Sequence, residues 1–148
     1  MAIDAARARD GRDGDAMSRI LADWNDETRW MARVHTPCEQ AEFGRWLIRV
    51  SDVTVARAQG VAVGFLSRQG EDIQALYLMR AARGLGIGTR LVQQAQAQCA
   101  RLGLWTFQAN RGGLRFYRAR GFVEDRRSDG QGNDQKLADV HLIWQRSV

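Results

Sequence analysis

Lysine is almost missing from this chain. All but one (Lys136) of its 22 basic residues are arginine, set against 17 acidic ones for a net charge of +5. Arginine-rich surfaces suit anionic partners such as phosphates, nucleic acid or an acidic surface. Nucleic-acid binding calls for a basic stripe with interleaved aromatics, or a known module. Neither is visible, so no nucleic-acid partner is expected. Two histidines, His35 and His141, and two cysteines, Cys38 and Cys99, are too few and too scattered for a metal centre. The cysteines fall in predicted helices and are expected as buried free thiols, not as a disulfide. No apolar run approaches the roughly 20 residues that a membrane span requires. The first seventeen residues hold no apolar segment of secretory type, so a cytoplasmic protein is expected.

What remains is an ordinary globular composition. The 148 residues, 45% hydrophobic and 26% charged, suit one domain over 1–148 with one substantial core. No internal repeat, low-complexity tract or linker interrupts them.

The element pattern is mixed. Ile3 to Ala8 reads as a short strand, and Asp10 or Asp13 can cap a helix carrying Met17, Ile20, Leu21 and Trp24 at helical spacing. Asn25 to Val34 reads as a connector. Thr36-Pro37-Cys38-Glu39 then starts a second helix with a capping box, and Phe43, Trp46, Leu47 and Val50 form its buried face. From Ser51 the period becomes two. Val53 and Val55, then Val61, Val63 and Phe65, then Ile73 to Met79 make three antiparallel strands joined by turns at Gln59-Gly60 and Gln69-Gly70.

The next stretch organises the rest. Gly84-Leu85-Gly86-Ile87-Gly88 is a turn that brings a ligand close to the backbone, and a helix follows with Leu91, Val92, Ala95, Cys99 and Leu102 on one face. Its first N–H groups and its dipole make a seat for phosphate. Gly103 is expected as its C-cap. Leu104 to Ala109 is a strand parallel to Ile73–Met79, since a helix crosses between them. A short helix from Asn110 to Gly121, a strand from Phe122, a polar loop over Ser128 to Gln135 and a last strand at Val140 to Trp144 complete the order β-αα-βββ-α-β-α-ββ. The fold class is α/β, in the α+β sense of a mixed sheet. A Rossmann fingerprint fails because Gly84-x-Gly86-x-x-Thr89 lacks the third glycine. A P-loop fails for want of Gly-Lys-Ser/Thr.

Arg83-Gly84-Leu85-Gly86-Ile87-Gly88 resembles the [Gln/Arg]-x-x-Gly-x-[Gly/Ala] signature of the GNAT superfamily of N-acetyltransferases. Asn110 with Phe116-Tyr117-Arg118-Ala119-Arg120-Gly121-Phe122 is similar to that family's Asn…Phe-Tyr-x-x-x-Gly-Phe segment. The two motifs stand in the family's order and separation, and the likeness in element order runs the whole chain. The resemblance implies a central sheet with splayed parallel strands and acetyl-CoA as cosubstrate, without a metal. It implies that the backbone of Arg83, Gly84, Leu85, Gly86, Ile87, Gly88 and Thr89 holds the pyrophosphate. Leu78 and Met79 would hold pantetheine and thioester, with the Leu78 N–H polarising the acetyl carbonyl. Asn110 would contact the pantetheine arm, and Tyr117 would protonate the departing thiolate. The expected reaction is N-acetyl transfer to a primary amine of a small molecule or peptide. Direct attack in a ternary complex is expected, because no cysteine lies near the thioester position. A homodimer is compatible with the resemblance.

Other residues are candidates around the acceptor. Glu71 and Asp72 can act as bases from the turn before the splaying strand, or simply be solvated there. His141 alternates against Val140 and Leu142, and His35 lies just before the second helix; both have suitable chemistry at neutral pH. Trp30 with His35 marks the connector expected to wall the acceptor pocket. Asp139 can take the acceptor's cation, or simply end the hairpin. Two other readings share the motifs or the charge: a non-catalytic acyl-CoA-binding domain on the same fold, and a small basic nucleic-acid-binding module.

Overall fold

The computed structural model describes residues 3–9, 11–31 and 35–147. Seven strands form one sheet: β1 (Ile3–Arg7), β2 (Asp52–Ala58), β3 (Val61–Gln69), β4 (Asp72–Leu78), β5 (Arg101–Phe107), β6 (Val123–Ser128) and β7 (Asp139–Gln145). Among the described residues four helices accompany them: α1 (Gly11–Glu27), α2 (Pro37–Val50), α3 (Ile87–Gln98) and α4 (Arg111–Ala119). A 3-10 turn, Arg80–Ala82, precedes the glycine-rich segment. The element order is the expected one.

Strand order in the sheet is β1-β2-β3-β4-β5-β7-β6. All neighbours are antiparallel except β4 and β5, which pair in parallel only at Asp72↔Gly103 and Ile73↔Leu104. Beyond Ile73 the two strands part. Each face of the sheet carries a core of its own. Met17, Ile20 and Leu47 of α1 and α2 bury Val53, Val55, Phe65 and Ala75 on one side. Leu91, Val92 and Ala95 of α3 and Leu114 and Tyr117 of α4 cover Leu66, Ile73, Leu104 and Leu142 on the other. Period-two alternation along the strands produces both faces at once.

The capping box at the start of α2 is present. Glu39 N–H donates to Thr36 Oγ1 at 3.1 Å, and Thr36 N–H donates to Glu39 Oε1 at 2.9 Å. Where α1 crosses α2, a Cβ on Gly44 would lie 1.9 Å from the Gly14 carbonyl oxygen. The Gly44 N–H donates to Ser18 Oγ at 2.8 Å.

Several local expectations need correction. The buried face of α2 consists of Gly44 and Leu47, with Phe43 and Ile48 half-buried, whereas Trp46 and Val50 are exposed. The close crossing at Gly44 turns the helix a step from the side its large residues suggest. Asp13 lies inside α1 and not before it. From there its carboxylate accepts the Arg9 N–H at 2.8 Å and pairs with Arg57 at 2.6 Å. Asp10, the other cap candidate, and residues 32–34 of the connector lie outside the described residues. α3 stops at Gln98 with Cys99 as its C-cap, so Leu102 and Gly103 belong to β5. Gly103 is small there because a Cβ would press within 3.2 Å of the His141 ring. Both thiols are free, but Cys38 is exposed and Cys99 half-buried.

Candidate active site

The gap between β4 and β5 is the centre of the site. In an extended strand successive amides point to opposite edges. The Met79 N–H donates to Val63 O of β3 at 2.8 Å, so the Leu78 N–H faces the other way, into the gap. A parallel neighbour would bond the Leu78 carbonyl, but β5 has already diverged. Arg83 takes its place, donating from Nε at 3.3 Å and Nη2 at 3.1 Å to Leu78 O. Its third nitrogen, Nη1, reaches Glu27 at the end of α1 at 2.8 Å. Arg83 therefore satisfies the open edge of β4 and ties it to α1.

Below this edge, Gly84 and Gly86 have φ of +77° and +83°, and an added Cβ at either would meet nothing within 4 Å. Their left-handed backbone turns the chain into α3 and leaves the space above it open. Gly86 is the N-cap and offers no side chain to the helix start; the first helical bond runs from Arg90 N–H to Gly86 O. The N–H groups of Ile87, Gly88 and Thr89 thus lack an intrahelical acceptor and point toward the cleft. Arg120 adds a full positive charge, donating to Thr89 Oγ1 while lying 5.1 Å over the Phe116 ring. This donor set fits a diphosphate: convergent N–H groups, a helix N-terminus, a nearby guanidinium and no Cβ in the way.

A cavity of about 420 Å³ joins these parts, lined by Leu76, Leu78, the Gly84–Thr89 turn, Gly112, Gly113, Phe116 and Tyr117. Asn110 caps α4, accepting the Gly113 N–H at 3.1 Å and donating to Thr106 Oγ1 at 3.3 Å. Gly113 must be glycine for this, since a Cβ would lie 2.4 Å from Asn110 Nδ2. Tyr117 lines both this cavity and the gap itself, packed edge-on against Phe116 and Phe122. Burial raises the pKa of its phenol, with the neighbouring Tyr77 adding to the shift. Tyr77 itself is pushed up to about 12 by burial. Both remain protonated across the neutral range, as a proton donor must.

The candidates are not all brought together. Leu78, the glycine turn, Thr89, Asn110 and Tyr117 meet at the cleft. Met79 does not join them, because its N–H is bonded within the sheet and its side chain is 37% exposed. Leu85 is the exposed tip of the turn, and the Ile87 side chain is buried in the core. Glu71 and Asp72 stand at the opposite end of β4, about 20 Å from Leu78 at strand rise. The Glu71 carbonyl there accepts the Gly103 N–H. His141 faces away from the cleft, its Nδ1 2.9 Å from Asp125 and its ring against Trp105. His35 lies exposed at the mouth of a second chamber lined by Met31, Phe43, Trp46, Tyr77 and Phe107. Trp30 lines neither space; it packs edge-on against Trp24, which lines the cleft, and against Phe107, which lines both the cleft and the chamber.

Trp24, Glu27 and Arg120 were not among the sequence candidates. Trp24 was legible as a core position and Arg120 as part of a motif, but only the tertiary arrangement puts Trp24 in the lining of the cleft and brings Arg120 to Thr89 and Glu27 to Arg83. Among the described residues no three His, Cys, Asp or Glu side chains converge. No helix among them is long and apolar enough to cross a membrane.

A mixed sheet whose two central parallel strands part above a glycine-rich helix N-terminus is the architecture of an acyltransferase. The chain belongs to the GNAT family of acetyltransferases, whose family model matches residues 11–122. Solved structures share the fold. The solution structure of apo YjaB from Escherichia coli superposes with a TM-score of 0.78 at 22% identity, covering 99% of this chain and 100% of that one. Ard1 from Thermoplasma volcanium gives 0.76 at 18% identity over the full length of both chains. YncA from Salmonella typhimurium, a putative acetyltransferase solved with its cofactor acetyl-CoA, gives 0.73 at 17% identity, covering 100% and 96%. No curated protein matches the chain by sequence.

Proposed function

We propose that this protein transfers an acetyl group from acetyl-CoA to a primary amine of a small molecule or peptide, by direct attack in a ternary complex. The observation that carries this reading is the parting of β4 from β5, which leaves the Leu78 N–H without a β5 partner beside a cleft that Tyr117 also lines. The N–H groups of Ile87, Gly88 and Thr89, with Arg120, hold the pyrophosphate of the cosubstrate. The Leu78 N–H stabilises negative charge as it develops on the acetyl oxygen. Tyr117 gives its hydrogen to the sulfur as the C–S bond breaks. Its raised pKa keeps that hydrogen in place until the thiolate forms. Asn110 shapes the passage between the two halves of the cleft, with one amide hydrogen left for a ligand beyond its capping bonds.

Replacing Tyr117 by Phe separates catalysis from binding. Thiol release across an amine panel is expected to fall roughly 10²- to 10⁴-fold, while the acetyl-CoA-induced rise in melting temperature stays. Unchanged thiol release would remove Tyr117 from the mechanism. A wild type that binds acetyl-CoA but releases no thiol with any amine of the panel would be a binding domain.

A further inference from the structure

Asp139 opens β7 beside the gap and is 9% exposed. Its carboxylate accepts from Ser128 Oγ and from Asn133 Nδ2 at 3.2 Å, both neutral donors. Among the described residues no Arg, Lys or His reaches it, in a chain with 22 basic residues. The other buried acid, Asp13, has Arg57 at 2.6 Å. A buried carboxylate without a cation is costly, so a cation that arrives beside it is favoured. Asp139 lines the gap together with Thr106, Asn110 and Tyr117. Tyr77 and Phe107 wall both the gap and the chamber beyond it, where Leu21, Met31, Phe43 and Trp46 add apolar surface.

Building on the acetyltransfer reading, we infer that Asp139 is the seat of the acceptor's ammonium group and its proton acceptor. The acceptor is an alkylamine with an aromatic or branched apolar body that fills the chamber. The ammonium yields one proton to the Asp139 carboxylate, which passes it to solvent. The freed lone pair forms the C–N bond at the thioester carbon. The C–S bond breaks, its electron pair going to sulfur, which takes the Tyr117 hydrogen. The nitrogen's second hydrogen then restores the tyrosine, so one proton is released for each amide and thiol formed.

The test compares wild type, Asp139→Asn and Ser128→Ala with acetyl-CoA and two probes, 2-phenylethylamine and the compact polar ethanolamine. Asp139→Asn is expected to lower kcat/KM for 2-phenylethylamine roughly 10- to 150-fold, the loss of a charged hydrogen-bond partner. Its acetyl-CoA-induced rise in melting temperature is expected to match wild type. Ser128→Ala removes a bond to the same carboxylate but keeps its charge, and is expected to lower kcat/KM less than about tenfold. Activity of Asp139→Asn within about threefold of wild type, or an equal loss in Ser128→Ala, would overturn the ammonium seat. A wild type that prefers ethanolamine would overturn the apolar-body acceptor. Thiol release with neither probe but with other amines in a panel would overturn this assignment and leave acetyl transfer standing. A wild type that releases no thiol with any amine would overturn both.

Discussion

Gly64 faces Leu78 across the β3–β4 ladder, and its lack of a side chain fixes where Leu78 sits. A Cβ at Gly64 would lie 2.2 Å from Leu78 Cδ2 and 3.1 Å from the Tyr77 carbonyl oxygen. Ordinary carbon contacts are about 3.5–4.0 Å, so the Leu78 methyl must retreat roughly 1.5 Å. Leu78 Cδ1 borders Gly88 at the start of α3, 3.5 Å from where a Cβ there would be, so the retreat carries the side chain toward that turn. Gly64→Ala therefore displaces either the end of β4 or the Gly84–Thr89 turn. Overpacking of this kind costs about 1–3 kcal/mol of stability. A misplacement near 1 Å of a group acting on the reacting carbonyl costs on the order of 10²-fold in rate. Urea denaturation gives the first quantity, and thiol release at saturating acetyl-CoA gives the second. Gly132→Ala is the control, because an added Cβ there meets nothing within 4 Å. A Gly64→Ala protein with wild-type stability and a rate within about threefold would refute the role given to the Leu78 amide.

The chain has two tyrosines, Tyr77 and Tyr117, and both line the cleft, so phenolate absorbance reports on the site alone. Their folded pKa values lie above the unfolded value, so the stability they contribute is full below about pH 10 and is lost as pH rises through about 12. Titration is expected to show no phenolate step near pH 10 and a joint rise with unfolding above it; an ordinary step near 10 would mean that the cleft is wet. Gly44→Ala forces a Cβ to within 1.9 Å of the Gly14 carbonyl and is expected to lower stability by roughly 3 kcal/mol or more, read by thermal or urea melting. A melt unchanged from wild type would mean that α1 and α2 cross more loosely.

The fold was legible because its signals are local. Thr36 and Glu39 announce the start of α2, period-two alternation marks β2 to β4, and the three glycines before α3 mark the turn. The path of α2's buried face was not, since Trp46 looks like core until Gly44 is seen to meet the Gly14 backbone. Cys99 and Leu102 continue the helical spacing of α3, and only strand pairing with β4 and β7 shows where the helix gives way to β5. At the cleft, the glycine turn was legible from its spacing, and Tyr117 from the resemblance of its segment to that of the family. The second duty of Arg83, bonding the Leu78 carbonyl that β5 abandons, was hidden. It depends on where two strands part, and no residue type records that. Glu71 and Asp72 show the converse: the right chemistry next to the right strand, but at its wrong end.

Melting of the wild type and of Gly86→Glu, each with and without acetyl-CoA, tests most directly whether the Gly84–Thr89 turn holds the pyrophosphate of acetyl-CoA. Gly86 has open space around its Cβ direction but a φ of +83°, so the free variant is expected to melt slightly lower. The wild type is expected to gain about 2.7 kcal/mol at a hundredfold excess of ligand over Kd, and Gly86→Glu is expected to gain nothing. No gain in the wild type, or an equal gain in the variant, would contradict the account.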